Sequence, residues 1–262
     1  MNSNRLLTYI ATSGVRNNIL YQLLEEPMDL SGLKSVFGVT SADLLPRLKE
    51  MEKRSLLYKV DGVYQLTFTG KTAARMLSRW ERLSRLLEEH GQFFNSHDMS
   101  VFPENLLDSM SMLGDCRIIQ DNMRDINATY REIVEKLSMS SSLMGISPIF
   151  DSHFPEIVVS IALRNAPVSI ILTRDIYEIV VDEYADALRL FLSCENARLY
   201  VVGEARLALA VTDSFLALSL FNDSGFDAQT SLVSREESAL KWGGELFEYY
   251  RRRSKEVKNP VD

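Results

Sequence analysis

The dipeptide Asp61-Gly62 constrains the fold more than any other feature of this sequence. It separates two apolar-rich segments, residues 56–60 and 63–67, and Asp-Gly in that setting is the strongest short-range signal for a β-hairpin. Three short segments with helical periodicity precede the hairpin. Three helices closed by a hairpin predict a winged helix-turn-helix at the start of the chain.

The first two of these helices have recognisable ends. Ser13 is a good N-cap for the first helix, and Pro27 ends it. Ser31 is the expected cap of the second helix. Gly38 then supplies the tight turn that a helix-turn-helix requires.

The third helix is expected to span about residues 40–54, with one apolar stripe buried. Pro46 lies within it, and an interior proline removes a backbone hydrogen bond. We therefore expect this helix to be short or bent, with its regular part beginning at about Leu44 or Leu45, so that Pro46 falls in the first turn.

A third helix of this kind fits the major groove of DNA, with its N-terminal half towards the base edges. The residues expected to read or position bases are Thr40, Ser41, Asp43 and Arg47. The residues expected to contact phosphates are Lys34, Lys49, Lys53, Arg54 and Lys59. The alternative is a solvated helix face on a module that binds another protein.

Charge is distributed unevenly along the chain. Residues 1–85 contain 13 Lys and Arg and 8 Asp and Glu, a net charge of +5, whereas the remaining residues contain 16 and 28, a net charge of −12. A basic end on an acidic body is the pattern expected where one end meets a polyanion. Double-stranded DNA is therefore the predicted partner.

A long helix is expected over residues 70–94, which contain no proline. Six of its residues recur at alternating four- and three-residue spacing, the seam of a short coiled coil: Met76, Trp80, Leu83, Leu87, His90 and Phe94. Such a helix could pair with its twin in a homodimer and place two DNA-binding heads about 34 Å apart. Alternatively, the same stripe packs on its own domain.

Strand-like and helix-like segments alternate in the rest of the chain, which predicts an α/β domain with a mixed sheet. We expect a long helix capped by Asp175 and ending at about Leu192, a hairpin around Asp213, and a last helix opened by a capping box from Ser234 to Glu237. The predicted fold class is α+β or α/β. The predicted domains are a winged helix-turn-helix (1–72), a connector and dimerisation helix (73–95) and an α/β regulatory domain (96–262).

Several motifs resemble one known family. The head carries Tyr64-Gln65-Leu66-Thr67-Phe68-Thr69-Gly70, similar to a run with which many winged-helix regulators leave the wing. The body motifs, in order, are Gly145-Ile146-Ser147-Pro148, Val211-Thr212-Asp213, Leu220-Phe221 followed by Gly225-Phe226-Asp227, and Trp242-Gly243 followed by Glu245-Leu246-Phe247 and Tyr249-Tyr250. Their order and spacing resemble the archaeal methanogenesis regulatory protein family. The resemblance implies a winged-helix transcription regulator whose C-terminal domain senses a signal.

A small-molecule effector is a further expected partner, at strand ends or between subunits. The candidate effector-binding residues are Arg174, Asp213, Asp227 and Trp242. Arg174 follows a predicted strand and would suit a carboxylate or phosphate effector. The structural alternatives are Asp175 as a helix cap and Trp242 as a core residue.

Other function classes lack support in the sequence. Common dinucleotide, phosphate, zinc-protease and nucleophile-elbow motifs are absent, so we expect no catalytic residues, no metal and no cofactor, with an α/β enzyme of unrecognised site as the alternative. The longest apolar stretch without an ionisable residue has 14 residues, against the ~20 of a membrane span. We expect a cytoplasmic protein in which Cys116 and Cys194 are reduced.

Overall fold

The computed structural model describes residues 5–259 of the chain. These residues form two compact units, and the boundary between the units falls after Arg82. That boundary lies inside the segment 73–95, which the sequence predicts to be a connector helix.

The first unit is a bundle of short helices with a small antiparallel sheet. Its helices are α1 (Arg5–Ala11), α2 (Gly14–Glu25), α3 (Leu30–Phe37), α4 (Ser41–Lys53) and the first part of α5 (Phe68–Ser96). Its strands are β1 (Met28–Asp29), β2 (Leu57–Val60) and β3 (Val63–Leu66), in the order β1-β3-β2. The winged helix-turn-helix predicted from the sequence is confirmed.

Local caps explain where the early helices begin. Ser13 caps α2 as predicted, and its hydroxyl oxygen accepts the backbone N–H of Arg16 at 3.5 Å. The prediction that Ser31 caps α3 is wrong. Asp29 does so instead, because its carboxylate accepts the backbone N–H of Gly32 at 2.7 Å and α3 therefore starts two residues earlier in the chain.

The turns of the first unit use left-handed backbone conformations where the sequence predicts them. Gly38 has φ +63° at the end of α3. Asp61 and Gly62 have φ +50° and +89° in the β2–β3 turn. Two successive positive φ angles are what a tight two-residue hairpin requires, and Asp and Gly tolerate them best.

Thr67 and Gly70 of the head motif join the hairpin to α5. The Thr67 hydroxyl donates to the carbonyl oxygen of Ser55 at 2.6 Å and accepts the backbone N–H of Gly70 at 3.0 Å. A β-carbon on Gly70 would overlap the backbone carbonyl of Leu56. The motif therefore ends in glycine because the first turn of α5 passes directly over the start of β2.

The predicted coiled-coil seam is divided between two environments. Phe94 is only 6% exposed and belongs to the core of the second unit, and Leu83 packs against that core. Met76 and Trp80 are 66% and 65% exposed in the first unit. Leu83 and Phe94 thus pack on their own domain, as the alternative interpretation expects. Met76 and Trp80 do not, and their side chains remain exposed.

The second unit is a larger α/β domain. Its helices after α5 are α6 (Glu104–Leu107), α7 (Ala128–Met139), α8 (Phe154–Leu163), α9 (Arg174–Glu183), α10 (Ala185–Ser193) and α11 (Glu237–Arg251). Its strands are β4 (Arg117–Gln120), β5 (Leu143–Ser147), β6 (Val168–Thr173), β7 (Ala197–Val202), β8 (Leu207–Thr212), β9 (Leu216–Asn222), β10 (Gly225–Phe226), β11 (Thr230–Ser234) and β12 (Lys255–Val257).

These strands form one mixed sheet, as predicted. Its order is β12-β7-β6-β5-β8-β9-β11-β4, with β10 paired to β9. The pairs β5–β6 and β6–β7 are parallel, and their connections contain α8 and then α9 and α10. The other pairs are antiparallel, including the predicted hairpin of β8 and β9 around Asp213.

Both faces of the sheet are buried under helices. Alternate residues of β6 show this, because Ile171 packs in one hydrophobic cluster with Trp242 of α11. Ile170 and Leu172 pack in a second cluster with Phe191 of α10. Successive side chains of a strand point to opposite faces, so the unit is a three-layer α/β/α arrangement.

The helix predicted from Asp175 to about Leu192 is two helices. Tyr184 has φ −127° and ψ +31°, outside the helical region, and serves as both the last cap of α9 and the first cap of α10. Thr173 is the residue that precedes α9. The predicted capping role of Asp175 is therefore wrong, because Asp175 lies within the first turn.

The predicted capping box of the last helix is also wrong. Ser234 is the final residue of β11, and its hydroxyl donates to the carbonyl oxygen of Leu113 at 2.9 Å. Glu236 occupies the N-cap position of α11, without a side-chain cap hydrogen bond. The serine hydroxyl is used for a tertiary contact that the local sequence does not reveal.

Candidate nucleic-acid interface

Helix α4 is the predicted DNA-reading element, and a capping box fixes its start. The backbone N–H of Asp43 donates to the Thr40 hydroxyl oxygen at 3.3 Å, and the backbone N–H of Thr40 donates to the Asp43 carboxylate at 3.2 Å. The Thr40 hydroxyl also donates to that carboxylate at 2.6 Å. These bonds satisfy donors that the first turn would otherwise leave unpaired.

The position of Pro46 in α4 differs from the prediction. The helix begins at Ser41 rather than at Leu44 or Leu45, so Pro46 is its sixth residue and lies beyond the first turn. The capping box starts the helix early, and three fully buried side chains, Leu44, Leu48 and Met51, hold it on the core through the proline.

The face of α4 away from the core presents two exposed lysines. Lys49 and Lys53 are exposed and lie four residues apart, which places them on the same side of the helix. Thr40 is exposed and Ser41 half-buried at the N-terminal end. The lysines and the hydroxyl groups lie on different sides of α4: the lysines suit phosphate oxygens, and the hydroxyl groups at the N-terminal end suit base edges.

Four of the predicted DNA-binding residues of this region already have intramolecular partners, and the hydrogen bonds of Thr40 to Asp43 are given above. The carboxylate of Asp43 belongs to the capping box, whose hydrogen bonds from Thr40 hold the pKa of the Asp43 carboxyl below its usual value. The guanidinium of Arg47 donates to the backbone carbonyl oxygen of Asp43. The guanidinium of Arg54 pairs with Glu50 at 3.0 Å and lies 3.9 Å from the centre of the Tyr9 ring.

The remaining two predicted phosphate contacts lie on other elements of the first unit. Lys34 is half-buried in the last turn of α3. Lys59 is exposed on β2, with its ammonium nitrogen 4.9 Å from the centre of the Tyr64 ring. The Tyr64 ring is buried, so it offers the Lys59 ammonium group a fixed cation–π contact at the surface.

The four predicted effector residues are not brought together in the second unit. Arg174 is exposed at the start of α9. The Asp227 carboxylate lies 3.2 Å from the imidazole Nε2 of His97. Trp242 is 1% exposed, and its indole N–H donates to the carbonyl oxygen of Leu106 at 3.0 Å. Trp242 is therefore a core residue, as the structural alternative expects.

Asp213 is the fourth of these residues, and its role is visible in the turn between β8 and β9. Burial raises the pKa of its carboxyl, but the backbone N–H of Ser141 donates to it at 2.9 Å, and the net result is a pKa below the usual value. The second unit also contains a cavity of about 690 Å³, and none of the four predicted residues lines it.

Two structural absences concern the part of the chain that the structure describes. Within residues 5–259, no helix is long and apolar enough to cross a bilayer. The same residues contain no group of three or more His, Cys, Asp and Glu side chains arranged to hold a metal ion.

Two solved structures are similar to this fold at low sequence identity. TrmBL2, described as an archaeal chromatin protein, has a TM-score of 0.45 and 14% identity over 98% of this chain and 100% of its own. Nuc from Salmonella typhimurium, described as a phospholipase D family member, has a TM-score of 0.40 and 8% identity over 55% of this chain and 99% of its own.

Sequence comparison is more specific. Methanogenesis regulatory protein FilR1 of Methanothrix harundinacea (strain 6Ac) is 31% identical over 253 residues, which are 94% of this chain and 57% of that protein. The chain thus spans little more than half the length of this relative.

Two models of the same family match the chain in the order expected. The FilR1 N-terminal domain matches residues 4–84, and the FilR1 middle domain matches residues 126–253. The chain therefore belongs to the methanogenesis regulatory protein FilR1 family.

Proposed function

We propose that the chain is a transcription regulator that binds double-stranded DNA through α4 and the β2–β3 hairpin. The observation that carries this proposal is the division of α4 into two faces. One face is fully buried through Leu44, Leu48 and Met51, and the other presents the exposed Lys49 and Lys53. The description of the FilR1 relative as a regulatory protein supports the same function.

The chemistry of binding follows from this geometry. A helix held on its core by one face can enter the major groove with the other, and the N-terminal residues Thr40 and Ser41 then lie nearest the bases. The lysines, together with Lys59 on the hairpin, neutralise phosphates and release counterions, so affinity falls steeply with salt. Thr40, Asp43, Arg47 and Arg54 have intramolecular partners in the free chain, and their contacts with DNA would replace or extend these bonds.

A homodimer and a sensing role for the second unit complete the proposal. The exposed Met76 and Trp80 on α5 are large apolar side chains that a second copy of the chain would cover. A signal bound by the second unit would shift the population of dimer arrangements and so the affinity for DNA.

The proposal is tested by titrating the full chain into duplex DNA from the region upstream of its own gene. A scrambled duplex of the same length and composition is the competitor, and the series is run at several salt concentrations. We expect the upstream duplex to bind at least about 10³-fold more tightly than the scrambled one. Absence of binding to either duplex at low salt would support the alternative, a module that binds another protein.

A further inference from the structure

The middle of the sheet carries an unusual patch of small side chains. Gly145 on β5 pairs directly with Ala210 on β8, and Ala210 pairs with Ala217 on β9. Next to them, Ala208 pairs with Ser219. Directly paired residues project from the same face of a sheet, so these residues form one continuous floor, here called the small-residue floor.

The floor extends to a fourth strand, β11, where its side chain is again small. The hydroxyl oxygens of Ser219 and of Ser231 on β11 lie 2.5 Å apart, so one hydroxyl donates to the other. Ala208 and Ala210 are only partly buried although they lie in the interior of the sheet. Their surface is exposed to the cavity of about 690 Å³, because no large side chain from the floor fills the space beneath the helices.

This cavity has the size and walls of a small-molecule site. Protein interiors are normally close-packed, and ligand pockets typically have volumes of ~300–1,000 Å³. The wall opposite the floor consists of apolar side chains of α7 and α8, including Ile133, Leu137 and Val158. An apolar body can therefore lie between the floor and these helices.

One cluster of polar side chains in the cavity lining joins Tyr130, Asp151 and His153, and a second polar group, around Thr129, contains Asp121 and Gln229. The Tyr130 hydroxyl lies 3.2 Å from the Asp151 carboxylate and 3.2 Å from the His153 imidazole. The Asp151 carboxylate also accepts the backbone N–H of His153 at 2.9 Å. Burial, reinforced by Asp151, raises the pKa of the Tyr130 phenol, so this hydroxyl stays protonated as a hydrogen-bonding group.

The acidic side chains of the cavity wall disfavour anionic ligands. Among residues 5–259, those that line the cavity include Asp121 and Asp151 but no lysine or arginine. A carboxylate or phosphate placed here would lose its hydration, gain no cation and face two acidic side chains. The exposed Arg174, which suited an anionic effector in the sequence, does not line the cavity.

We infer that the cavity of the second unit binds an uncharged, largely apolar small molecule with one hydrogen-bonding end. The apolar body lies on the small-residue floor, and the polar end meets the Tyr130–Asp151–His153 cluster. The regulatory consequence rests on the function proposed above, but ligand binding does not. Ligand binding is therefore tested without DNA, so that failure of the cavity to bind a ligand is distinguishable from failure of the chain to bind DNA.

Two fluorescent probes test the inference on the full chain. N-phenyl-1-naphthylamine is uncharged, and 8-anilino-1-naphthalenesulfonate has the same rings with an added sulfonate. We expect saturable binding of one uncharged probe per chain, at least about tenfold tighter than the sulfonate, because the cavity offers an anion no counter-charge. Absence of saturable binding by the uncharged probe, or equal or tighter binding of the sulfonate, overturns the inference.

Substitutions in the floor locate the bound probe. Ala210→Leu fills the cavity and should lower affinity for the uncharged probe at least about tenfold. Ala11→Leu makes the same change at an exposed position of the first unit and should leave affinity unchanged. If circular dichroism shows that Ala210→Leu fails to fold, Ala208→Leu replaces it, and if both fail the comparison of the two probes on the unmodified chain decides. Unchanged affinity in a folded floor variant overturns the inference.

Discussion

The carbonyl oxygen of Leu56 lies against Gly70, where a β-carbon on residue 70 would overlap it. This approach lets α5 begin directly over the start of β2 and gives a physical reason for the glycine that ends the head motif. The change Gly70→Ala should therefore force the helix and the hairpin apart and destabilise the first unit by about 1–3 kcal/mol. Urea unfolding followed by circular dichroism measures this loss.

Gly91 provides the matched control on the same helix. A β-carbon there meets nothing within 4 Å, so Gly91→Ala should leave stability unchanged or raise it by about 0.5–1 kcal/mol. Equal stability of Gly70→Ala and the unmodified chain would show that the approach of Leu56 does not constrain this position.

The capping box of α4 predicts a pH-dependent stability. Hydrogen bonds from Thr40 hold the pKa of Asp43 below its usual value of 3.8. A carboxyl whose pKa is lower in the folded state stabilises that state above the usual pKa, and this contribution disappears as pH falls through the folded pKa. Asp43→Asn should therefore destabilise the chain at pH 7 but cost progressively less below about pH 4.

The partner residue gives the control for this effect. Thr40→Val removes the hydroxyl that donates to Asp43, so in that background Asp43→Asn should lose much of its pH-dependent cost. Urea unfolding at pH 7, 5 and 3 measures all four chains. A penalty for Asp43→Asn that stays constant from pH 7 to 3 contradicts the role of the ionised cap.

The two cysteines are both free thiols and should react at different rates. Burial raises the pKa of the Cys116 thiol to about 12, whereas Cys194 is only half-buried. At pH 8 a thiol reagent should modify one cysteine rapidly and the second only after unfolding, because the thiolate is the reactive form. Cys194→Ser should remove the rapid phase and Cys116→Ser should preserve it. Rapid reaction of both native thiols would show that the core of the second unit around Cys116 opens readily.

The exposed apolar residues of α5 predict that a polar substitution among them weakens dimerisation. If Met76 and Trp80 lie in a dimer interface, Trp80→Ser should weaken dimerisation by about 2 kcal/mol, or about 30-fold. Sedimentation equilibrium measures the constant. Phe68→Ser removes an aromatic residue that is 85% exposed on the same helix but outside the seam, and it should have no such effect. A chain that is monomeric at all concentrations, or a dimer unaffected by Trp80→Ser, contradicts the proposed interface.

Elements with short-range signals could be predicted from the sequence. Ser13, Gly38 and the Asp61-Gly62 turn act through atoms within a few residues, and each lies where its local chemistry requires. Ser31 and Asp175 are wrong as caps because residues two positions earlier, Asp29 and Thr173, precede the helices instead. At Ser234 a distant group decides the outcome. Ser234 resembles a helix cap until its hydroxyl is seen on the carbonyl of Leu113, more than a hundred residues away in the chain.

The candidate sites show the same contrast. Residues on one helix, such as Lys49 and Lys53, could be placed together from their spacing alone. The cavity could not be predicted, because its floor is assembled by pairing small residues from four strands. The local trace is the alternation of small with larger residues in β8 and β9. Arg174 suits an anionic effector by its chemistry, and that chemistry carries no information about which residues share a pocket.

The central claim, that α4 meets DNA through its exposed lysines, is tested most directly by the salt dependence of binding. Affinity for the upstream duplex is measured by fluorescence anisotropy at several salt concentrations, for the unmodified chain, for Lys49→Ala with Lys53→Ala, and for the control Lys241→Ala with Lys258→Ala, which removes two exposed lysines of the second unit. The account predicts that the first pair weakens binding and reduces the slope of log affinity against log salt by about 2, because about one counterion is released per phosphate contact, and that the control pair changes neither. An unchanged slope in the first pair, or an equal reduction in both, would contradict it.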